Sequence, residues 1–83
     1  MQITLKLNAS LSVYLPEEAE KHAIRLTISP TDTVSSILAK FSVPKELTHL
    51  ILLNGTYLDE AEREISRFSN GDTLAVWPPV AGG

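Results

Sequence analysis

Two runs near the beginning of the chain alternate apolar with polar residues. The first covers residues 2–8 and the second covers residues 23–29, with a polar connection between them that contains Pro16. The apolar positions are Ile3, Leu5 and Leu7 in the first run and Ile24, Leu26 and Ile28 in the second. Because side chains alternate between the two faces of a strand, this period predicts two half-buried strands joined as a hairpin.

The period of the pattern changes after Pro30. The next apolar residues are spaced as on one face of a helix, at Val34, Ile37, Leu38 and Phe41. Thr31 or Asp32, just before them, is a residue type that caps helix N-termini. Pro44 has no N–H to donate and blocks continuation, so the helix is predicted to end near Ser42.

The second half of the chain predicts further strands. Residues 50–53 form a short apolar run that ends at Asn54-Gly55, a dipeptide typical of tight turns between strands. Tyr57-Leu58 fits a short edge strand. Residues 73–77 are rich in β-forming residues and end at Pro78-Pro79, which cannot continue a central strand.

Together these elements predict one α+β domain over residues 1–77. A mixed sheet of four to five strands would carry one main helix across one of its faces. A chain of 83 residues has room for one such core and not for two. The closing residues 78–83 contain two prolines, two glycines and few large side chains, so they are expected to form an extended C-terminal tail.

Composition and charge narrow the classes of function. The absence of cysteine excludes a disulfide framework, a thiolate zinc site and a cysteine nucleophile, and it fits the cytoplasm, a reducing compartment. A net charge of −3 has the wrong sign for neutralising phosphates, which argues against nucleic-acid binding. No signal peptide or long apolar run is present, so we expect neither secretion nor a membrane span.

The tail indicates a chemistry of its own. Gly82 and Gly83 carry no side chains, so an extended tail ending in them can enter a narrow enzyme channel and present its terminal carboxylate. Pro78 and Pro79 hold its base near polyproline geometry. A carboxylate is a poor electrophile at neutral pH, and no nucleotide-binding motif is present, so ATP would be used by an activating partner and no cofactor is expected in this chain. The alternative interpretation is a frayed end.

The closing run of the chain resembles that of a known family. It consists of a Gly-Asp turn, an apolar strand, and Pro-Pro-Val-Ala-Gly-Gly, from Gly71 to Gly83. This order is similar to the C-terminal signature of the MoaD/ThiS sulfur-carrier family. The proline pair is more similar to the MoaD branch, the small subunit of molybdopterin synthase, than to the thiamin-pathway carriers.

The resemblance implies a ubiquitin-like β-grasp fold and a role for the tail residues Val80, Ala81, Gly82 and Gly83. In this family an E1-like enzyme adenylates the terminal carboxylate, here that of Gly83. A sulfur donor then converts it to a thiocarboxylate, which passes sulfur to a pterin precursor in complex with the large subunit of molybdopterin synthase. Sulfur transfer for thiamin or for a tungsten cofactor stays open as an alternative. So does a ubiquitin-like modifier, whose Gly83 becomes amide-linked to a lysine.

One face of the predicted sheet is a candidate for partner binding. Alternation places Ala75 and Trp77 opposite Leu74 and Val76, so Trp77 and Ala75, with Leu52 from the neighbouring strand, are expected on the face that the helix leaves open. An exposed apolar patch beside the tail suits a protein partner. The alternative is that Trp77 packs over its own sheet.

The remaining polar features give weaker signals. His22 and His49 have no second ligand at a metal-binding spacing and are expected on the surface. Residues 59–64 form an acidic run that is interrupted by Arg63. We expect this run to form a helical turn. That run either docks a basic patch of an activating enzyme or is a solvated segment.

Overall fold

The computed structural model describes residues 1–64 and 68–79. In chain order its strands and α-helix are β1 (Gln2–Leu7), β2 (Ala23–Thr27), α1 (Val34–Lys40), β3 (Leu50–Leu53), β4 (Thr56–Tyr57) and β5 (Thr73–Trp77). The strands form one mixed sheet in the order β2-β1-β5-β3-β4. β1 and β5 are parallel, and the other neighbours are antiparallel. The predicted α+β architecture, with one main helix and a five-stranded sheet, is confirmed.

The core lies on one face of this sheet, under α1. Its fully or nearly fully buried members are Ile3, Leu5, Leu7, Leu11, Ile28, Val34, Ile37, Leu38, Val43, Ile51, Leu74 and Val76. Burying one such side chain contributes about 1.5–3 kcal/mol, so this cluster supplies most of the driving force for folding. Ile24 and Leu26 are only half-buried, because β2 is an edge strand.

The helix begins later than the sequence predicted. Its N-cap is Thr33, not Thr31 or Asp32. The Ser36 N–H donates to Thr33 Oγ1 at 3.0 Å, and the Thr33 N–H donates to Ser36 Oγ at 2.8 Å. This reciprocal capping box satisfies two N–H groups at the N-terminus and fixes where α1 starts. The helix ends at Lys40, within two residues of the predicted position.

The connection between β1 and β2 contains structure that the sequence pattern did not predict. A 3-10 helix, Ala9–Tyr14, buries Leu11 completely. The connection ends in a two-residue turn at Lys21 and His22, whose φ angles are 51° and 63°. Glu20 and Ala23 on either side exchange two backbone hydrogen bonds of 2.9 Å. β1 and β2 therefore pair as predicted, through a longer and more ordered link than a simple hairpin.

The β3–β4 hairpin matches the turn predicted at Asn54-Gly55, with φ angles of 51° and 82°. The Asn54 side chain also reaches the start of β5. The Thr73 N–H donates to Asn54 Oδ1 at 2.9 Å, and Asn54 Nδ2 donates to Asp72 Oδ1 at 2.9 Å. The short edge strand begins one residue earlier than predicted, at Thr56.

None of the helices in the described residues combines the length and hydrophobicity that a bilayer crossing requires.

Candidate functional site

β5 places the predicted surface residues in the middle of the sheet. Leu74 and Val76 are completely buried, whereas Trp77 is half-buried on the opposite face. Across the antiparallel ladder, Ala75 pairs with Leu52. Since directly paired residues share a face, Leu52, Ala75 and Trp77 lie on the face away from α1, as the alternation predicted.

Their exposure differs from the expectation. Ala75 is only 8% exposed, and Leu52 and Trp77 are half-buried. Ala75 is the smallest of the three and lies between Lys6 of β1 and Leu52 of β3, whose longer side chains flank it. The prediction that Ala75 forms part of an exposed patch is therefore wrong for that residue. Partner binding through Leu52 and Trp77 stays a prediction.

Two further apolar residues lie on the same face and were missed. Leu50 pairs with Trp77, and Tyr57 pairs with Leu52. Tyr57 is 55% exposed. The two-residue turn at Asn54-Gly55 fixes this register, so the turn dipeptide was the signal that would have placed Tyr57 beside Leu52. We call Leu50, Leu52, Tyr57 and Trp77 the apolar patch.

The charges on the strands all have one sign. None of the five strands that the structure describes contains Asp or Glu, although the chain as a whole carries a net charge of −3. The charged strand residues are Lys6 and Arg25, and both are exposed. By register, both lie on the face that carries the apolar patch: Lys6 is beside Ala75, whereas Arg25 is in the edge strand farthest from Tyr57.

The tail leaves β5 directly after Trp77. Pro78 is half-buried and Pro79 is exposed. Their lack of N–H groups prevents either from extending the ladder. The other predicted tail residues, Val80, Ala81, Gly82 and Gly83, lie outside the described residues, and their entry into an enzyme channel stays a prediction.

The acidic run forms one turn of 3-10 helix at Glu62–Glu64. The Asp59 N–H donates to Glu62 Oε1 at 3.0 Å, and the Glu62 N–H donates to Asp59 Oδ1 at 2.9 Å. Arg63 lies across the turn and donates to the carbonyls of Leu58, Thr48 and His49 at 3.2–3.4 Å. The carboxylates of the run are left exposed to solvent. Both earlier interpretations, docking and simple solvation, stay open.

The histidines give no metal centre within residues 1–64 and 68–79. His22 and His49 are exposed, as predicted. The described residues contain no group of three or more His, Cys, Asp or Glu arranged to bind a metal.

One buried carboxylate serves the helix. Lys40 Nζ donates to Asp32 Oδ2 at 2.9 Å, the Ser29 N–H donates to the same oxygen at 2.8 Å, and Ser36 Oγ donates to Oδ1 at 2.8 Å. These hydrogen bonds, of which the one from Lys40 has the largest effect, lower the pKa of Asp32 from 3.8 to about 2. A carboxylate held ionised by three donors, one in its own loop and two in α1, is a structural group, with no free proton to transfer near neutral pH.

A cavity of about 160 Å³ lies on the helix side of the sheet, opposite the apolar patch. Val34, Leu38 and Ile51 form its apolar floor, and Glu60 and Arg63 are at its rim. Among the described residues its lining includes the hydroxyls of Ser35 and Thr48 but no histidine or cysteine, so neither hydroxyl has a histidine base beside it there.

Comparison with known proteins agrees with this fold. SAMP1 from Haloferax volcanii superposes with a TM-score of 0.68 at 23% identity, over 100% of both chains. The HVO 2177 protein from the same organism superposes with a TM-score of 0.76 at 21% sequence identity, over 100% of this chain and 87% of that one. The third structure is a complex of subunits 1 and 2 of the molybdopterin-converting factor from Helicobacter pylori. One of its chains superposes with a TM-score of 0.59 at 16% sequence identity, over 100% of this chain and 100% of that one. At such identities the likeness establishes the ubiquitin-like fold alone.

Sequence comparison places the chain in a family. No curated protein matches it. The sequence profile of the family described as Mut7-C ubiquitin matches residues 1–82, nearly the whole length. The resemblance to small ubiquitin-like β-grasp proteins is thereby confirmed, and the chain belongs to the Mut7-C ubiquitin family.

Proposed function

We propose that this chain is a sulfur-carrier protein that works through the carboxylate of Gly83. The observation that carries the proposal is the position of the segment from Pro78 to Gly83. It follows the central strand of a ubiquitin-like sheet without an intervening element. Two prolines project the base of such a segment, and two glycines leave its end narrow. The chain itself supplies no catalytic residues and binds no cofactor.

The chemistry is carried out by partners. An E1-like enzyme directs the Gly83 carboxylate to the α-phosphorus of ATP, forming an acyl-adenylate and releasing pyrophosphate. A donor then delivers sulfur at the oxidation level of sulfide to the acyl carbon. AMP leaves with the original carboxylate oxygen, and a thiocarboxylate remains. No cysteine of the carrier is needed, in keeping with a chain that has none.

The apolar patch is the proposed docking surface for these partners. Trp77 and Tyr57 are aromatic residues of the kind that anchor interfaces. Lys6 lies next to Ala75 on the same face, so the fitting partner presents an apolar surface with a carboxylate that faces Lys6. Ala75 lies beneath the patch and supports it, instead of contacting the partner.

Molybdopterin synthesis in the cytoplasm is the pathway we propose. The proline pair of the tail is similar to that of the MoaD branch, and the neighbour from Helicobacter pylori is a subunit of a molybdopterin-converting factor. The corresponding partner is the large subunit of molybdopterin synthase. Copurification with that subunit, and product formation from the pterin precursor, test the pathway separately from the tail chemistry. A thiocarboxylate that transfers no sulfur to this precursor would redirect the carrier to another pathway.

The test of the carrier reaction is intact mass spectrometry. The purified chain is incubated with ATP, the E1-like enzyme of the same genome and a hydrosulfide source. Exchange of one oxygen for sulfur adds about 16 Da. The control chain has one alanine added after Gly83, which thickens the narrow end and should abolish the gain. The native protein must also carry a free Gly83 carboxylate, which the same instrument measures first. An unchanged wild-type mass refutes the proposal.

A ubiquitin-like modifier is the second candidate, favoured by the family to which the chain belongs. The same acyl-adenylate would then react with a lysine amine, releasing AMP and forming an amide. Immunoblots that reveal a ladder of larger conjugates, lost when Gly82 and Gly83 are deleted, support the modifier. If the deletion leaves all activity unchanged, the domain is a binding module with an idle tail.

A further inference from the structure

We infer that Asn8 is a positioning residue that fixes the direction in which the tail leaves β5. The inference rests on the proposed function, since it concerns delivery of Gly83 to a partner enzyme. It is carried by the hydrogen bonds to the last two carbonyls of β5, those of Val76 and Trp77. The donors lie in the segments on either side of that strand.

The carbonyl of Val76 receives two hydrogen bonds from one residue. The Asn8 backbone N–H donates to it at 3.0 Å, and Asn8 Nδ2 donates to it at 3.2 Å. On the other side of β5, the His49 N–H donates to the Trp77 carbonyl at 3.0 Å. The final peptides of the strand are therefore fastened to both neighbouring segments.

In the part of the chain that the structure describes, no side chain on the β1 side bonds to the backbone after Val76. Asn8 follows the last residue of β1, and Ala9 next to it turns away with a φ of 52° into the 3-10 helix. Pro78 and Pro79 have no N–H groups with which to continue the ladder. Within residues 1–64 and 68–79, Asn8 is consequently the last point on the β1 side at which the backbone leading to the tail is held.

The position also explains why asparagine is suited to this role. The backbone N–H already pairs with the Val76 carbonyl, so the fold does not depend on the side chain. A carbonyl oxygen has two lone pairs, and the amide of Asn8 occupies the second. That second bond restrains rotation of the peptide joining Val76 to Trp77, which a single bond permits more freely.

Rotation of the peptide joining Val76 to Trp77 changes the direction in which Pro78 and Pro79 leave the sheet. Enzyme rates fall when a reacting group is misplaced by as little as about 1 Å, so this direction bears on the delivery of Gly83. The register of β1 and β5 places Asn8 beside Trp77, but its amide is bonded to the Val76 carbonyl and it is not one of the four side chains of the apolar patch. Loss of the side-chain bond should therefore lower kcat of adenylation and leave KM unchanged.

The test compares two asparagines at opposite ends of β5. Asn8→Ala deletes the amide at the tail end, and Asn8→Asp keeps the shape but replaces the donor with an acceptor. Asn54→Gly is the matched control. It deletes the side chain that holds Thr73 at the other end of the strand, and glycine tolerates the φ of 51° there. The assays are ATP–pyrophosphate exchange with the E1-like enzyme, and fluorescence anisotropy of Trp77, the chain's single tryptophan.

We expect both Asn8 variants to lower kcat about threefold to tenfold, the range that one neutral hydrogen bond supplies, with KM within about twofold of wild type. Trp77 anisotropy should fall in the same variants and stay unchanged in Asn54→Gly. Equal kcat in Asn8→Ala and Asn54→Gly, or a rise in KM alone, overturns the inference. If wild type catalyses no exchange, the proposed function fails. The anisotropy then decides this inference, and a value equal to wild type in Asn8→Ala refutes it.

Discussion

The two-residue turn before β2 holds ordinary L-residues in a conformation that favours glycine. Lys21 and His22 both have positive φ angles, as a type I′ turn requires at its two central positions. Asparagine and glycine are the residues that usually occupy these positions. We therefore expect His22→Gly, and more so the pair Lys21→Asn with His22→Gly, to stabilise the protein.

The magnitude follows from two opposing effects. A left-handed conformation costs an L-residue about 1–2 kcal/mol, which glycine avoids. Glycine also has more conformational freedom in the unfolded chain, which costs about 0.5–1 kcal/mol on folding. The two ranges differ by about 0–1.5 kcal/mol and their midpoints by about 0.75 kcal/mol, so we expect a net gain of about 0.5–1 kcal/mol for His22→Gly. The His22 carbonyl keeps its hydrogen bond from the Leu7 N–H, because that bond involves only the backbone.

Thermal unfolding followed by circular dichroism measures the effect. A gain of about 0.5–1 kcal/mol corresponds to a rise in Tm of roughly 2–8 °C for a domain of this size. His22→Ala is the matched control, since it removes the imidazole but retains a Cβ at positive φ, and its Tm should not rise. Were His22→Gly to unfold at or below the wild-type temperature, the assignment of strain to this turn would be wrong.

Three further substitutions test the interactions that define the fold. Ser36→Ala removes the bond from the Thr33 N–H to Ser36 Oγ and the bond from Ser36 Oγ to Asp32 Oδ1, whereas the Ser36 N–H keeps its bond to Thr33 Oγ1. It should destabilise the protein by about 1 kcal/mol in urea titrations. Asp32→Asn should destabilise it at pH 7. Because the pKa of Asp32 is lowered from 3.8 to about 2 in the folded protein, the difference from wild type should shrink as pH falls through that interval. Leu5→Ala, completely buried in β1, should destabilise by about 2–5 kcal/mol.

The controls for these variants are nearby residues without the relevant interaction. Ser35→Ala lies outside the capping box and should change stability less than Ser36→Ala. Val13→Ala removes an apolar side chain that is 78% exposed, so it should change stability far less than Leu5→Ala. A pH-independent effect of Asp32→Asn between about pH 2 and 4 would contradict the proposed role of the ionised carboxylate.

The strands were the most predictable part of the fold, because their alternation has a single physical cause. Ile3, Leu5 and Leu7 all face the core, and the structure confirms β1, β3 and β5 within one residue of their predicted ends. The 3-10 helix Ala9–Tyr14 was missed because it buries one residue, Leu11, which is too few to create a period.

The start of the helix and the exposure of the site depend on side-chain contacts that the pattern of apolar and polar residues does not record. Three consecutive residues are of types that cap helices: Thr31, Asp32 and Thr33. The Asp32 carboxylate accepts hydrogen bonds from Lys40 and Ser36, and Thr33 is the N-cap. Likewise, the burial of Ala75 depends on Lys6 and Leu52, which lie in other strands. A linear pattern records neither relationship. The identity of the candidate tail, by contrast, was contained in consecutive residues.

The central position of β5 has a consequence for how the molecule is made. β5 is the last strand in sequence, yet it joins the β2–β1 pair to the β3–β4 pair. Until the ribosome has released this strand, the two pairs have no common neighbour, and isolated two-stranded ribbons are marginally stable. Contacts between such distant segments slow folding. A chain cut short before Thr73 should therefore remain unfolded and exposed to proteases, so an intact tail is presented only by molecules that have completed their sheet.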